Sequence, residues 1–199
     1  MSGRFKPAGN KNAALPILAG ALLADEPVTL RNVPEIRDVA TMIELIQSLG
    51  ADVQRLESGV YRIDASDLAG GALRPEEAGR IRASILLAGP LLARFGEVVL
   101  PPPGGDVIGR RRLDTHFLAL GKLGANVEAG DRYELRASRL RGADVFLDEP
   151  SVTGTENAIL AAVTAEGTTT IRNAACEPHV QELCAFLVGL GADLSLIHI

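Results

Sequence analysis

The sequence has no tryptophan, only two tyrosines, and more acidic than basic residues. Nucleic-acid-binding domains usually combine a basic surface with aromatic rings for stacking, so these absences argue against a nucleic-acid partner. The two cysteines, Cys176 and Cys184, are too few for a disulfide framework or a cysteine-based metal cluster. We therefore expect a cytosolic protein with no metal site.

Long hydrophobic runs are also missing. The longest, at 13–24, is interrupted by Pro16 and Gly20 and falls short of the roughly 20 apolar residues that a membrane span requires. No basic segment with a cleavage site precedes it, so we expect neither a secretory signal nor a membrane contact. A hydrophobic fraction of 47% with 23% charged residues is typical of a folded, soluble domain.

What the chain does contain is a repeat of helix, strand and helix in three copies. Each copy begins with an apolar, helix-like run, at 13–24, 84–93 and 157–164, and continues into a short strand, at 27–30, 97–100 and 168–171. A second helix then ends at Gly50, Gly124 or Gly191, where a helix C-terminus favours a left-handed residue. After the first two copies, residues 52–64 and 126–137 are each typical of a β-hairpin.

The second helices share one apolar stripe at helical spacing. Its members are Val39, Met42, Ile43, Ile46 and Leu49 in the first copy, Leu113, His116, Phe117, Leu120 and Leu123 in the middle copy, and Val180, Leu183, Cys184, Leu187 and Leu190 in the third. The pattern predicts that His116 points inward and is satisfied by a hydrogen bond, and that Cys184 is a small core residue.

The middle copy carries four extra residues between its strand and its stripe. From the last residue of the strand to the first residue of the stripe there are 9 positions in the first and third copies. In the middle copy there are 13, from Leu100 to Leu113. The additional residues lie within PPPGGDVIGRRR, at 101–112. A tolerated surface insertion is one explanation, since doubling a loop costs only about 0.6 kcal/mol. Adjacent arginines repel each other unless an anion lies among them, so we favour a loop that binds an anion.

The chain resembles the enolpyruvyl transferases, and among them those that act on UDP-N-acetylglucosamine, in four segments: GNKNAALPILAGALLADEPVTLRNVP, RASILLAGPLLARFG, PGGDVIGRRRLDTH and EPSVTGTEN. The resemblance implies an α/β fold of three repeated units about a pseudo-threefold axis, an inverse α/β prism. It implies that residues 11–194 form the first of two such domains, with repeats near 11–66, 82–138 and 151–194. Residues 1–10 would be the remnant of a crossover strand to a missing second domain, and 195–199 an atypical, truncated tail.

The implied reaction moves the enolpyruvyl group of phosphoenolpyruvate to the 3-hydroxyl of UDP-N-acetylglucosamine, the step that opens peptidoglycan synthesis. It needs cations for the phosphates and the carboxylate, a proton donor for the methylene carbon and a base for the sugar hydroxyl, but no cofactor and no metal. The implied partners are the two substrates and the missing domain, which would carry the base.

The family's site residues carry over by motif. Lys11 would contact phosphoenolpyruvate, Arg82 the substrate phosphates and Arg111 both substrates. The sugar would lie near Asn12, and the uridine end between two walls formed by Arg112, Leu113, Asp114 and Thr115 and by Glu149, Pro150, Ser151 and Val152. Without the family resemblance, Lys11 and Asn12 also fit a solvated lysine with a capping asparagine. Arg82 also fits a charge on a helix surface, and Asp114 a charge at a helix N-terminus.

Asp106 stands where most members of the family carry the cysteine that donates the proton and is alkylated by fosfomycin. A carboxyl group can donate a proton but is a weaker nucleophile, so the resemblance implies activity with fosfomycin resistance. The neighbouring arginines should lower the carboxyl pKa below its usual value of about 3.9, whereas loss of water and a nearby substrate phosphate should raise it. The sequence does not show which of these two effects on the pKa of Asp106 is larger.

Two other functions remain in view at this point. Enolpyruvylshikimate phosphate synthase shares the fold and phosphoenolpyruvate, but its glycine-lysine-serine start and its shikimate-binding motifs are not visible here. A non-catalytic relic that binds an anion or a nucleotide sugar is the other alternative, because the base and further arginines would belong to the missing domain. We expect the 199-residue chain to show no transfer activity by itself.

Overall fold

The computed structural model describes residues 3–5, 7–70, 72–105 and 112–197. Its helices are α1 (Lys11–Gly20), α2 (Arg37–Ser48), α3 (Pro75–Ala78), α4 (Ala88–Phe95), α5 (Asp114–Lys122), α6 (Val152–Ala162) and α7 (Pro178–Gly189). Its strands are β1 (Val28–Leu30), β2 (Asp52–Glu57), β3 (Val60–Asp64), β4 (Glu97–Leu100), β5 (Asn126–Ala129), β6 (Tyr133–Arg136), β7 (Asp144–Phe146) and β8 (Thr170–Arg172). Short 3₁₀ segments cover Ala21–Leu23 and Arg82–Leu87. None of the helices in these ranges is long and apolar enough to span a bilayer.

The strands confirm the repeat. The first two sheets have the same antiparallel order, β1-β3-β2 and β4-β6-β5, and the hairpins predicted at 52–64 and 126–137 form the last two strands of each. Even the register is shared, because Leu30 lies opposite Tyr61 and Leu100 opposite Tyr133. In the third unit β8 pairs in parallel with β7, the strand that precedes α6.

The apolar faces of the helices form one hydrophobic core, as the stripe predicts. Val39, Met42 and Ile46 are almost fully buried, and so are Leu183 and Leu187 at the matching positions of α7. The glycines that follow the three stripe helices adopt left-handed conformations, with φ of +101° at Gly50, +103° at Gly124 and +101° at Gly191. A residue with a Cβ is strained in this conformation, so glycine ends each helix.

One stripe residue departs from the prediction, since Leu190 is 40% exposed. Its counterparts are covered where the chain returns after each hairpin: the amide of Ala69 donates to the carbonyl of Leu49 at 2.8 Å, and that of Arg141 to the carbonyl of Leu123 at 2.9 Å. After α7 the described residues, up to 197, form no strand that could provide this cover.

The helix predicted at 84–93 also differs. Its first part is the 3₁₀ segment Arg82–Leu87, and α4 begins only at Ala88. Pro90 has no N–H to donate to the carbonyl of Leu86, so the α-helical hydrogen-bond pattern cannot run unbroken through this point.

The enlarged connection of the middle unit is confirmed. It runs over 101–113 between β4 and α5, whereas 31–36 and 173–177 suffice in the other two units. Residues 106–111, which include Asp106 and Arg111, lie outside the described residues.

Candidate functional site

Lys11 is the first residue of α1, and Asn10 rather than Asn12 caps this helix. The side-chain oxygen of Asn10 accepts a hydrogen bond from the backbone N–H of Asn12 at 2.8 Å. The Lys11 Nζ lies 3.0 Å from Oδ2 of Asp38 on α2, and both side chains are about half exposed. An anion that binds Lys11 therefore has to compete with the carboxylate of Asp38, a residue that the sequence patterns did not single out.

Arg82 lies beside both described ends of the enlarged connection. Its Nη2 donates to the carbonyl oxygen of Arg112 at 3.2 Å. At the other end Gly105 has a φ of +96°, and a Cβ placed there would lie 3.2 Å from the backbone nitrogen of Arg82. Gly105 and Arg112, the described residues on either side of 106–111, thus both lie next to this arginine. Arg82 is half-buried and opens the 3₁₀ segment packed against α1.

Thr115, in the first predicted wall of the uridine pocket, contacts the residues that flank the second wall, near the N-termini of α5 and α6. Thr115 Oγ1 donates to Oδ1 of Asp148 at 2.6 Å, just before the second wall begins. A Cβ on Gly154 would lie 2.9 Å from the Thr115 methyl, so the first turns of the two helices pack closely. Ser151 caps α6 by accepting from the Gly154 N–H at 3.2 Å.

Asp114 begins α5, where a carboxylate is favoured by the helix dipole, and its side chain forms an ion pair with Arg112. The arrangement therefore brings Arg82, the 112–115 segment and the 149–152 segment together. The helix α1, which begins at Lys11, packs against residues 82–87.

His116 is buried, as predicted, with only 1% of its surface exposed. Its Nε2 lies 3.1 Å from Thr153 Oγ1, and its Nδ1 lies 3.1 Å from the side-chain nitrogen of Asn157. Burial, reinforced by the positive charge of Arg82, lowers the pKa of His116 to about 4. The imidazole is therefore neutral at physiological pH.

The burial of polar side chains on α6 was missed by the sequence patterns. Asn157 is fully buried and Glu156 is 2% exposed, although the apolar run that begins at Asn157 was recognised. Burial, together with the nearby charge of Glu177, raises the pKa of Glu156 to about 8, and its Oε1 has no hydrogen-bond partner within the described ranges. The signal that could have revealed them is a pair of polar residues in the middle of an otherwise apolar, core-facing helix.

The two cysteines behave as ordinary residues. Cys184 is buried in the core, which raises the pKa of its thiol and makes it unreactive, while Cys176 is exposed. Over the described ranges, no group of three or more His, Cys, Asp or Glu side chains could hold a metal ion. What these residues offer is anion binding, by guanidinium groups, an ammonium group and the hydrogen-bond donors of two adjacent helix N-termini.

Known proteins match this chain over nearly all of its residues. The family profile described as EPSP synthase (3-phosphoshikimate 1-carboxyvinyltransferase) matches residues 1–197. The UDP-N-acetylglucosamine 1-carboxyvinyltransferase of Bradyrhizobium diazoefficiens is 64% identical over 194 residues, which is 98% of this chain and 45% of that protein. The protein of the same name from Treponema denticola is 55% identical and is covered to 46%. The chain thus spans about half the length of the curated relatives it matches.

Solved structures agree on the fold. The enolpyruvyl transferase NikO from Streptomyces tendae superimposes with a TM-score of 0.83 at 26% identity, over 98% of this chain and 46% of its own. EPSP synthase from Acinetobacter baumannii gives a TM-score of 0.71 at 18% identity, over 90% of this chain and 42% of its own, and at that identity the likeness concerns the fold alone. The α/β fold implied by the sequence motifs is thereby confirmed.

Proposed function

The chain belongs to the EPSP synthase family of enolpyruvyl transferases, and we propose that it supplies half of an active site that transfers the enolpyruvyl group of phosphoenolpyruvate to the 3-hydroxyl of UDP-N-acetylglucosamine. The observation that carries this proposal is the 64% identity to a protein named for that reaction. The contact between residues 112–115 and the start of α6 supports it, because a nucleotide sugar needs a pocket with two walls.

The anionic groups of the substrates would be bound by Arg82 and Lys11, whereas Arg112 would hold the uridine end. Guanidinium groups suit phosphate because their planar N–H donors match two oxygens at once. Arg82 lies next to Gly105 and Arg112, two residues of the 101–113 connection. Arg111 enters the proposal from the sequence alone, as the arginine that would contact both substrates.

Asp106 is proposed as the general acid. It would donate its proton to the methylene carbon of phosphoenolpyruvate while the sugar 3-hydroxyl, having lost its proton to a base, attacks the adjacent carbon. Loss of a proton from the new methyl group and departure of phosphate would then restore the double bond in the product. Gly105, the residue just before Asp106 in the sequence, lies against Arg82.

A carboxylate in place of the family's usual cysteine leads to a second proposal, resistance to fosfomycin. The drug acts by alkylating the cysteine thiolate through its epoxide, and a carboxylate is a much weaker nucleophile. The proposed reaction would make the enzyme part of cytoplasmic cell-wall synthesis.

Binding by the chain as it stands tests the substrate. Titration calorimetry with UDP-N-acetylglucosamine should give a measurable, weak affinity, whereas shikimate 3-phosphate should give none. Arg112→Ala should abolish the binding, while Arg132→Ala, which removes an equal charge from an exposed position between β5 and β6, should not change it. Preference for shikimate 3-phosphate would favour the shikimate branch of the family, and no binding of either ligand would favour a relic domain.

A further inference from the structure

A polar cluster, formed by the buried His116 and Asn157 and the half-buried Thr153, joins α5 to α6 and α4. Thr153 and Asn157 lie one turn apart on α6 and contact the two ring nitrogens of His116, at 3.1 Å each. The carboxamide of Asn157 also contacts the backbone of residues 85–89. Its oxygen accepts a hydrogen bond from the backbone N–H of Gly89 at 2.7 Å, and its nitrogen donates one to the carbonyl of Ile85 at 2.8 Å. One side chain thus contacts three elements of the fold.

The two backbone contacts fix which way the carboxamide of Asn157 points. The Gly89 N–H is a donor and requires the amide oxygen, while the Ile85 carbonyl is an acceptor and requires the NH₂ group. The NH₂ group therefore also faces Nδ1 of His116. Because an NH₂ group can only donate, Nδ1 must be unprotonated, and the ring hydrogen lies on Nε2, which donates to Thr153 Oγ1.

The cluster also completes the start of α4. Leu87, the residue before this helix, provides no side-chain cap, so the N–H of Gly89 in the first turn is satisfied by Asn157 from α6. The approach is close enough that a Cβ on Gly89 would lie 2.8 Å from both oxygens of Asn157. The three elements are therefore held in one fixed arrangement.

Two partners of Asn157 adjoin candidate binding segments: Ile85 belongs to the 3₁₀ segment that Arg82 opens, and His116 follows the 112–115 segment. Thr153, the partner of His116, follows the 149–152 segment. We propose that Asn157 is a positioning residue: by binding Ile85, Gly89 and His116 simultaneously, it sets the placement of Arg82 relative to the two walls that would hold the nucleotide sugar. The identity of the ligand in this inference rests on the proposed function, whereas the geometry of the cluster is independent of it.

The first test needs no ligand. A long-range ¹H–¹⁵N spectrum of the chain should show His116 as a neutral ring with hydrogen on Nε2 only, across pH 6 to 8. A ring protonated on Nδ1, or a mixture of tautomers, would overturn the assigned hydrogen bonds and with them the proposal.

The second test is Asn157→Asp, which keeps the shape but replaces the NH₂ donor by an oxygen. His116 should then gain a hydrogen on Nδ1, the amide signals of Ala83 and Asp114 should shift, and the affinity for UDP-N-acetylglucosamine should fall about tenfold. The matched control is Thr155→Val, which removes a buried hydrogen bond of the same helix, the one that the Thr155 hydroxyl accepts from the amide of Ala175, a residue outside the candidate segments. It should lower stability and leave the affinity unchanged.

The outcomes separate the two proposals. Equal losses of affinity in Asn157→Asp and Thr155→Val would show that Asn157 only stabilises the fold. If the unaltered chain does not bind the nucleotide sugar, the proposed function fails on this chain, while the amide shifts still decide whether Asn157 positions the segments. Should Asn157→Asp not fold, Thr153→Val removes the partner of Nε2 instead, and an unchanged affinity with unchanged amide signals would overturn the proposal.

Discussion

The buried carboxyl group of Glu156 makes stability depend on pH in an unusual direction. Its pKa rises from the ordinary 4.5 to about 8 in the fold. The folded chain therefore holds a proton that the unfolded chain has released, and stability must fall as the pH rises from about 4.5 to about 8 and then level off. At pH 7 the difference of about 2.5 pH units corresponds to about 3 kcal/mol of lost stability, at about 1.4 kcal/mol per unit.

Glu156→Gln removes the titration while keeping the size and the neutral, polar character of the side chain. Relative to the unaltered chain, the variant should gain about 4 kcal/mol between pH 5 and pH 8, because only the glutamate becomes harder to bury over that range. Urea unfolding followed by circular dichroism at several pH values measures the effect. Glu182→Gln, an identical change at an exposed position of α7, is the control and should leave the pH profile as it was.

The charge of Glu177, which is the second cause of the raised pKa of Glu156, gives an internal check. Glu177 raises the pKa of Glu156 by its charge, so Glu177→Gln should reduce the pH dependence without removing it. Parallel pH profiles for the unaltered chain and Glu156→Gln would refute the reasoning, since they would mean that the carboxyl finds water or a partner in solution.

Three other results are expected. Gly89→Ala should destabilise the fold by about 1–3 kcal/mol in urea unfolding, because its Cβ would overlap two oxygen atoms of α6, whereas Gly121→Ala, with open space around it in α5, should be neutral or stabilising by up to about 1 kcal/mol. Asp38→Asn should strengthen the binding of inorganic phosphate to Lys11, measured by NMR titration, and should change stability by less than about 1 kcal/mol, since the ion pair is half exposed. In a complete enzyme, Asp106→Asn should lower turnover at least about 100-fold, and Asp106→Cys should restore inactivation by fosfomycin; near-normal turnover or continued resistance would contradict the proposed role.

The fold followed from local patterns that physical chemistry constrains strongly. Helical spacing predicted the stripes, and the glycines after them ended the helices because left-handed backbone is costly for other residues. The number of positions between strand and stripe was enough to locate the enlarged connection. The exposure of Leu190 could not be predicted in this way, because periodicity shows which face of a helix is apolar but not whether a later segment covers it.

The candidate site was less accessible to such patterns. The contact between Thr115 and Asp148 and the links made by Asn157 join residues far apart in the chain, and no local spacing encodes them. The inward direction of His116 was predictable from the stripe, whereas its partners were not. Buried polar residues such as Asn157 and Glu156 escape hydrophobic periodicity because they occupy core positions without being apolar.

The most direct test of the proposed function is a transfer assay in a two-domain chimera. In this chimera the chain replaces the matching 45% of the Bradyrhizobium diazoefficiens relative, and circular dichroism confirms that the protein is folded. Phosphate release should require both phosphoenolpyruvate and UDP-N-acetylglucosamine, and the chain without the added domain should release none. A folded chimera that releases no phosphate with these substrates, or one that uses shikimate 3-phosphate instead, would contradict the account.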